Sequence, residues 1–226
     1  MGAVLNARPL LLRACEAGAF GSTQRQGDSS IHDALFTFLD GPAAPELLDA
    51  RAEELPGHHL VCLTDSWAQL LAQKGLSTYT RWHMQPMTHY APIELPPLPE
   101  GYAVQPFDER AFAAQPFGHG QWYRGWEEFE RIGAGAVAVH QGEFVASASS
   151  FLSHGGEVEL DISTDPAHRR RGLALHCADA MLRDCARRGI AVHWDAQNVP
   201  SRDMALRLGF KIECEYTVFM WKSIKK

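Results

Sequence analysis

EVELDISTDPAHRRRGLA, residues Glu157–Ala174, reads as a strand, a tight basic turn and the first turn of a helix. Val158, Leu160, Ile162 and Thr164 alternate with Glu159, Asp161 and Ser163, the period-2 pattern of a strand with one apolar face. Pro166 has no N–H to give to a ladder and opens the turn. Arg169, Arg170, Arg171 and Gly172 follow, and a helical pattern of apolar residues begins at Leu173. A helix N-terminus presents unpaired backbone N–H groups and the positive end of a dipole. Gly172 and Ala174 keep bulk away, so an anion can approach the backbone, and the arginines add charge. Together these features are a recipe for gripping a pyrophosphate.

Downstream, the helix carries Leu173, Cys177, Ala180 and Met181 at i, i+4, i+7 and i+8, and runs to Arg188 before Gly189. Ile190–Trp194 is a strand, Asp195–Pro200 a loop, Ser201–Leu208 a short helix stopped by Gly209, and Lys211–Trp221 a last strand. Upstream, Gly135–His140 and Phe144–Leu152 form a hairpin across Gln141-Gly142, and helices are expected at Asp108–Ala114 and Gln121–Arg131. The five prolines of Pro86–Pro99 read as a linker. Before it, helices at about 9–19, 45–54 and 65–73 alternate with strands at 34–39, 60–64 and 76–84, with 24–30 as a loop. The reading gives an N-terminal α/β region, 1–95, and a second domain, 96–226.

The R-x-x-G-x-A spacing of Arg169, Gly172 and Ala174, after a strand ending T-D-P, resembles the acyl-CoA loop of the GNAT superfamily of N-acetyltransferases. Asn198 and Leu208-Gly209-Phe210 sit where that superfamily has its N-x-x-[AS]…LGF segment. The run from Asp161 to Phe210 looks closest to the GNAT subgroup that includes the zwittermicin A resistance protein. The resemblance covers roughly the last 130 residues.

The resemblance implies an α/β (α+β) fold of the GNAT acyl-CoA N-acyltransferase type, a mixed, mostly antiparallel sheet flanked by helices. It also implies direct acetyl transfer from acetyl-CoA to an amine, without an acyl-enzyme. In such a fold the strands at Glu157–Asp165 and Ile190–Trp194 splay, and the pantetheine arm pairs with backbone near Ile162 and Thr164 like an added strand. The cofactor contacts carried onto this chain are Ile162, Thr164, Arg169, Arg170, Arg171, Gly172, Leu173, Ala174, Asn198 and Ser201. The alternative for the loop alone is a plain helix start with surface arginines.

An amine attacks only when neutral, so a base is needed, and the thiolate must be stabilised or protonated as it leaves. Asp161 and Glu159 are the base candidates, Asp161 preferred for its nearness to Ile162; the alternative is a solvated or hydrogen-bonded strand face, or carboxylates that only orient the amine electrostatically. Many superfamily members carry a tyrosine acid seven residues after the Asn. Here that position is Ala205, and Tyr216 on the last strand is the replacement candidate, against a plain sheet residue. His193 and Asp195 could make a dyad, although a strand-end His more often packs. Trp122, Tyr123 and Trp126 either shape an acceptor pocket or pack a helix into the core.

At 226 residues the chain can bury one large or two small cores. With a net charge of −6 no nucleic-acid surface is expected, and the balance is compatible with a cationic acceptor. Five cysteines without C-x-x-C spacing, and histidines without ligand spacing, speak against a zinc site or disulfide framework; no metal is expected. No signal peptide, myristoylation start or membrane span is read, so the expected location is cytoplasmic. The expected partners are a small-molecule amine and, for the chain itself, a homodimer. Two other functions fit the same loop: a non-catalytic acyl-CoA-binding sensor or interaction module, and a protein or peptide N-acetyltransferase.

Overall fold

The computed structural model describes residues 3–114, 117 and 122–221. Their contacts divide into two interleaved compact units. One comprises the described residues of Met1–Met84, Asp195–Arg202 and Ile212–Lys226; the other comprises Gln85–Trp194 and Asp203–Lys211. Each unit is built on its own sheet.

The first unit begins with α1 (Leu10–Glu16), then the hairpin β1 (Ser22–Gln26) and β2 (Ser29–Asp33), and β3 (Thr37–Asp40). After α2 (Pro45–Asp49) come β4 (His59–Cys62), α3 (Asp65–Gln73) and β5 (Ser77–Met84). The stretch 24–30, expected as a loop, is most of the β1–β2 hairpin. β1 is a polar, exposed edge strand, so no hydrophobic alternation marks it. β11 (Asp195–Ala196) and β12 (Ile212–Met220) complete the sheet in the order β1-β2-β3-β4-β12-β5-β11. The last strand therefore pairs with β4 and β5. Ile31, Leu39, Leu60, Trp67, Leu71 and Phe219 pack the core, each buried aliphatic side chain contributing about 1.5–3 kcal/mol.

The second unit holds β6 (Tyr102–Pro106), α4 (Glu109–Ala114), α5 (Trp126–Ile132), β7 (Gly135–His140), β8 (Glu143–His154), β9 (Glu157–Thr164), α6 (Leu173–Arg188) and β10 (Ala191–His193). Sheet order is β10-β9-β8-β7-β6. All neighbours are antiparallel except β10 and β9, which run parallel, as a strand–helix–strand crossover requires. α6 packs Leu173, Cys177, Met181, Leu182 and Cys185 inward. Gly189, at φ +68, ends it as expected. The proline-rich segment is strapped to this unit: Met87 exchanges backbone hydrogen bonds of 2.9 and 3.0 Å with Val192, and Tyr90 donates to Asp179 Oδ1 at 2.6 Å. α7 (Val199–Arg207) follows β11.

Candidate active site

β9 delivers the site by pairing unequally on its two edges. Against β8 it is paired from Glu157 to Thr164. Against β10 it is paired only through Glu159, opposite His193. Among the described residues no strand pairs with that edge from Leu160 to Thr164. Asp165 donates its N–H to Val145 on the β8 side at 2.9 Å, so by alternation Ile162 and Thr164 turn their polar backbone groups to the open edge. Side chains of the same segment already engage that edge. Asp161 Oδ1 accepts the Ile162 N–H at 2.8 Å, and Arg169 Nε donates to the Thr164 carbonyl at 3.2 Å.

A short 3₁₀ turn, Pro166–His168, links β9 to α6, and Asp165 caps it by accepting the Ala167 N–H at 2.8 Å. His168 anchors the turn to β6: its Nδ1 lies 2.9 Å from the Tyr102 hydroxyl, and Tyr102 stacks on His140. The Arg171 guanidinium lies 5.6 Å from the Tyr102 ring centroid. Two residues here are left-handed, Arg170 at φ +64 and Gly172 at φ +78. For an L side chain that conformation costs roughly 1–2 kcal/mol, and such strain collects at ligand sites. Gly172 is the N-cap of α6 and provides no side-chain cap, so the first-turn N–H groups have no cap of their own. A Cβ at Gly172 would meet nothing closer than His176 at 3.9 Å. The uncapped amides, adjacent arginines and open strand edge fit a diphosphate followed by an extended arm.

β9 also lines up carboxylates. Glu157, Glu159 and Asp161 share one sheet face, with Ser147 and Ser149 of β8 in register on it. Glu159 is 3% exposed, whereas Asp161 is exposed. His193, a candidate dyad partner of Asp195 by sequence, is buried with Nε2 2.9 Å from Glu157 Oε2. The signal that could have found this pair is a His in register on the strand parallel to an alternating acidic one.

The remaining expected residues follow β10 in the chain. Asn198 caps α7, its Oδ1 accepting the Ser201 N–H at 2.9 Å. Both residues lie in the first unit. Ala205 is buried. Tyr216, the candidate acid, is a buried β12 residue of the first unit whose hydroxyl donates to both Asp195 carboxylate oxygens at 3.0 Å. Burial, reinforced by the Asp195 charge, raises its pKa well above the ordinary phenol value. A proton so held is poorly placed for release to a thiolate. Arg81 donates to Asp195 Oδ1 at 2.9 Å and to its carbonyl at 2.8 Å, and His83 Nδ1 lies 3.3 Å from Oδ2. Burial opposes ionisation of Asp195, but Arg81 and His83 outweigh it and hold its pKa below the ordinary value.

Of the aromatic trio, Tyr123 and Trp126 pack the Phe107–Phe112–Phe129 cluster, and the Tyr123 hydroxyl meets Ser150 and Ser153 at 2.6 and 2.7 Å. Trp122 is exposed. All five cysteines are free thiols. Glu16, His32 and Asp40 converge in the first unit, but Arg8 pairs with both carboxylates and supplies their counter-charge. Among the described residues no helix is long and apolar enough to cross a membrane.

The profile described as GNAT acetyltransferase matches residues 21–219, well upstream of the segments that carried the resemblance. The uncharacterized N-acetyltransferase YdfB of Bacillus subtilis (strain 168) is 26% identical over 216 residues, 90% of this chain and 78% of that protein. A GCN5-related N-acetyltransferase-like protein from Streptococcus suis 89/1591 superposes with a TM-score of 0.78 at 24% identity, over 94% of this chain and 92% of the other. A GCN5-related N-acetyltransferase from Kribbella flavida gives 0.65 at 15% identity, over 96% and 98%.

Proposed function

The chain belongs to the GNAT acetyltransferase family, and from that premise we propose that it transfers the acetyl group of acetyl-CoA directly to an amine of a small molecule. The observation that carries the cofactor half is the left-handed Gly172 at the uncapped mouth of α6, directly after a strand whose edge is open beyond Glu159. The amides of Leu173 and Ala174, with Arg169, Arg170 and Arg171, hold the diphosphate; Ile162 and Thr164 pair with the pantetheine arm. Asn198 and Ser201 remain contacts by resemblance alone. The thioester supplies an activated acyl group.

For the acceptor half, the carboxylate row on β9 favours a cationic amine, and the resemblance to the zwittermicin-type subgroup favours a small one. Glu159 is the base in this reading. It is buried on the last rung before the strands part, whereas Asp161 is exposed and holds the Ile162 N–H. With Ala205 at the usual tyrosine position and Tyr216 committed to Asp195, the thiolate leaves with help from backbone N–H groups or water.

The test is CoA-thiol release from acetyl-CoA across a panel of small amines, with peptides bearing lysine or a free N-terminus in the same plate. Release with small amines and none with peptides is expected. Release confined to peptides would replace the acceptor class. CoA binding without release for any acceptor would favour the non-catalytic binding module.

A further inference from the structure

Thr164 ends the stretch of β9 whose outer edge, among the described residues, no strand pairs. Its carbonyl is already engaged there: Arg169 Nε donates to it at 3.2 Å. A strand laid along that edge would run about 4.8 Å from β9, and an amide pairing with Thr164 would bring its nitrogen to about 2.9 Å from the same oxygen. The Arg169 guanidinium therefore stands in the lane that the pantetheine arm would take.

The three arginines of the turn differ in what holds them. Arg170 carries the left-handed backbone at φ +64. The Arg171 guanidinium lies 5.6 Å from the Tyr102 ring centroid. Arg169 leaves the 3₁₀ turn in an ordinary extended conformation, φ −64 and ψ 163, and is exposed, so its side chain can swing without moving the backbone. It stands three residues before Gly172, beside the mouth of α6. A charge-assisted hydrogen bond between two ions is roughly twice as strong as a neutral one, so a diphosphate at that mouth competes well for Arg169. Asp161, which holds the Ile162 N–H, gains nothing from an anion.

We propose that Arg169 makes the chain select the complete cofactor over thioesters that carry the pantetheine arm alone. The proposal rests on the acetyl-CoA reading above. With CoA, the diphosphate takes Arg169, the Thr164 carbonyl is released, and the arm pairs with it. With the arm alone, nothing offsets the displacement of Arg169, and the ligand meets an occupied edge. Selection thus comes from an obstacle that only the right ligand removes. Arg169 acts on the choice of acyl donor and takes no part in moving the acyl group.

The test compares CoA with pantetheine on the full chain, wild type and Arg169→Ala, by calorimetry for CoA and by NMR titration for pantetheine. Neither measurement needs turnover, and an exposed position leaves the variant able to fold. Arg169→Ala should bind pantetheine about threefold to tenfold more tightly, because one hydrogen bond no longer has to be broken. It should bind CoA about tenfold more weakly, because a charged contact to the diphosphate is lost. A loss of stability or a general loosening of the turn cannot give effects of opposite sign. Weaker binding of both ligands would make Arg169 a plain clamp. Unchanged pantetheine affinity would show that its contact with Thr164 bars nothing. Either result overturns the proposal, as does a wild-type chain that binds CoA no better than pantetheine. A wild-type chain that binds neither ligand sinks the acetyl-CoA reading itself, ahead of any claim about Arg169.

Discussion

Tyr216 donates its hydroxyl to both carboxylate oxygens of Asp195 at 3.0 Å, inside a sheet that also brings Arg81 and His83 to the same carboxylate. The last strand thus spends its one buried phenol on holding β12 to β11 and β5. Tyr216→Phe should lose about 1 kcal/mol of stability by denaturant unfolding and keep wild-type CoA release. Lost turnover in a folded variant would restore Tyr216 as the acid.

Asp195 should make stability acid-sensitive. Its folded pKa lies below the ordinary value because Arg81 and His83 outweigh its burial. The unfolded chain therefore binds the proton first. The contribution is complete above the unfolded carboxyl pKa of about 3.9 and disappears as pH falls through the lower, folded one. Asp195→Asn should cost about 3–5 kcal/mol near neutrality, since Arg81 keeps a buried charge without its partner. It should also flatten that acid limb in urea titrations run from neutral to strongly acidic pH.

Gly172 is held at φ +78 with open space around it, so added side chains are penalised by backbone conformation and by what they put before the amides. Gly172→Ala should cost roughly 1–2 kcal/mol of stability. Gly172→Glu should in addition abolish CoA binding by calorimetry, because it sets a negative charge at the helix mouth. CoA affinity equal to wild type in the folded Glu variant would remove the diphosphate assignment.

Asp161 covers the Ile162 N–H, the group that pairs with the cofactor arm in the function proposed above. Asp161→Ala should expose the Ile162 N–H and tighten CoA binding about threefold to tenfold, the worth of one hydrogen bond. Weaker binding in calorimetry would show that Asp161 supports the cofactor and does not compete with it.

Burial pushes the Cys62, Cys177 and Cys185 thiols up to about 12. Only about one in ten thousand is then thiolate at pH 8, and the thiolate is the reactive form. Iodoacetamide at pH 8 should leave these three unmodified in the folded protein and modify all three in guanidinium, as read by peptide mass spectrometry. Rapid labelling in the folded state would place them outside the core.

Local chemistry was enough for much of this protein. Alternation in Glu157–Thr164, a proline, three arginines, a glycine and a helical repeat fix the strand, the turn and α6 at nearly their observed bounds. The same local rules mark α3 between Asp65 and Gln73, and the β7–β8 hairpin across Gln141-Gly142. Each of these signals is written within a few neighbours, where steric and hydrogen-bonding preferences act. What the chain could not announce is which distant segments meet. Nothing around Tyr216 says that β12 enters the sheet of the first residues, so its hydroxyl reads as free for chemistry until Asp195 is seen to hold it. Nothing around His193 says that Glu159 stands opposite, because a parallel register is set by the crossover helix and the packing of two whole strands. Periodicity assigns a residue to a face; only the fold, by balancing buried surface against the pairing of every backbone group, decides what waits across from it.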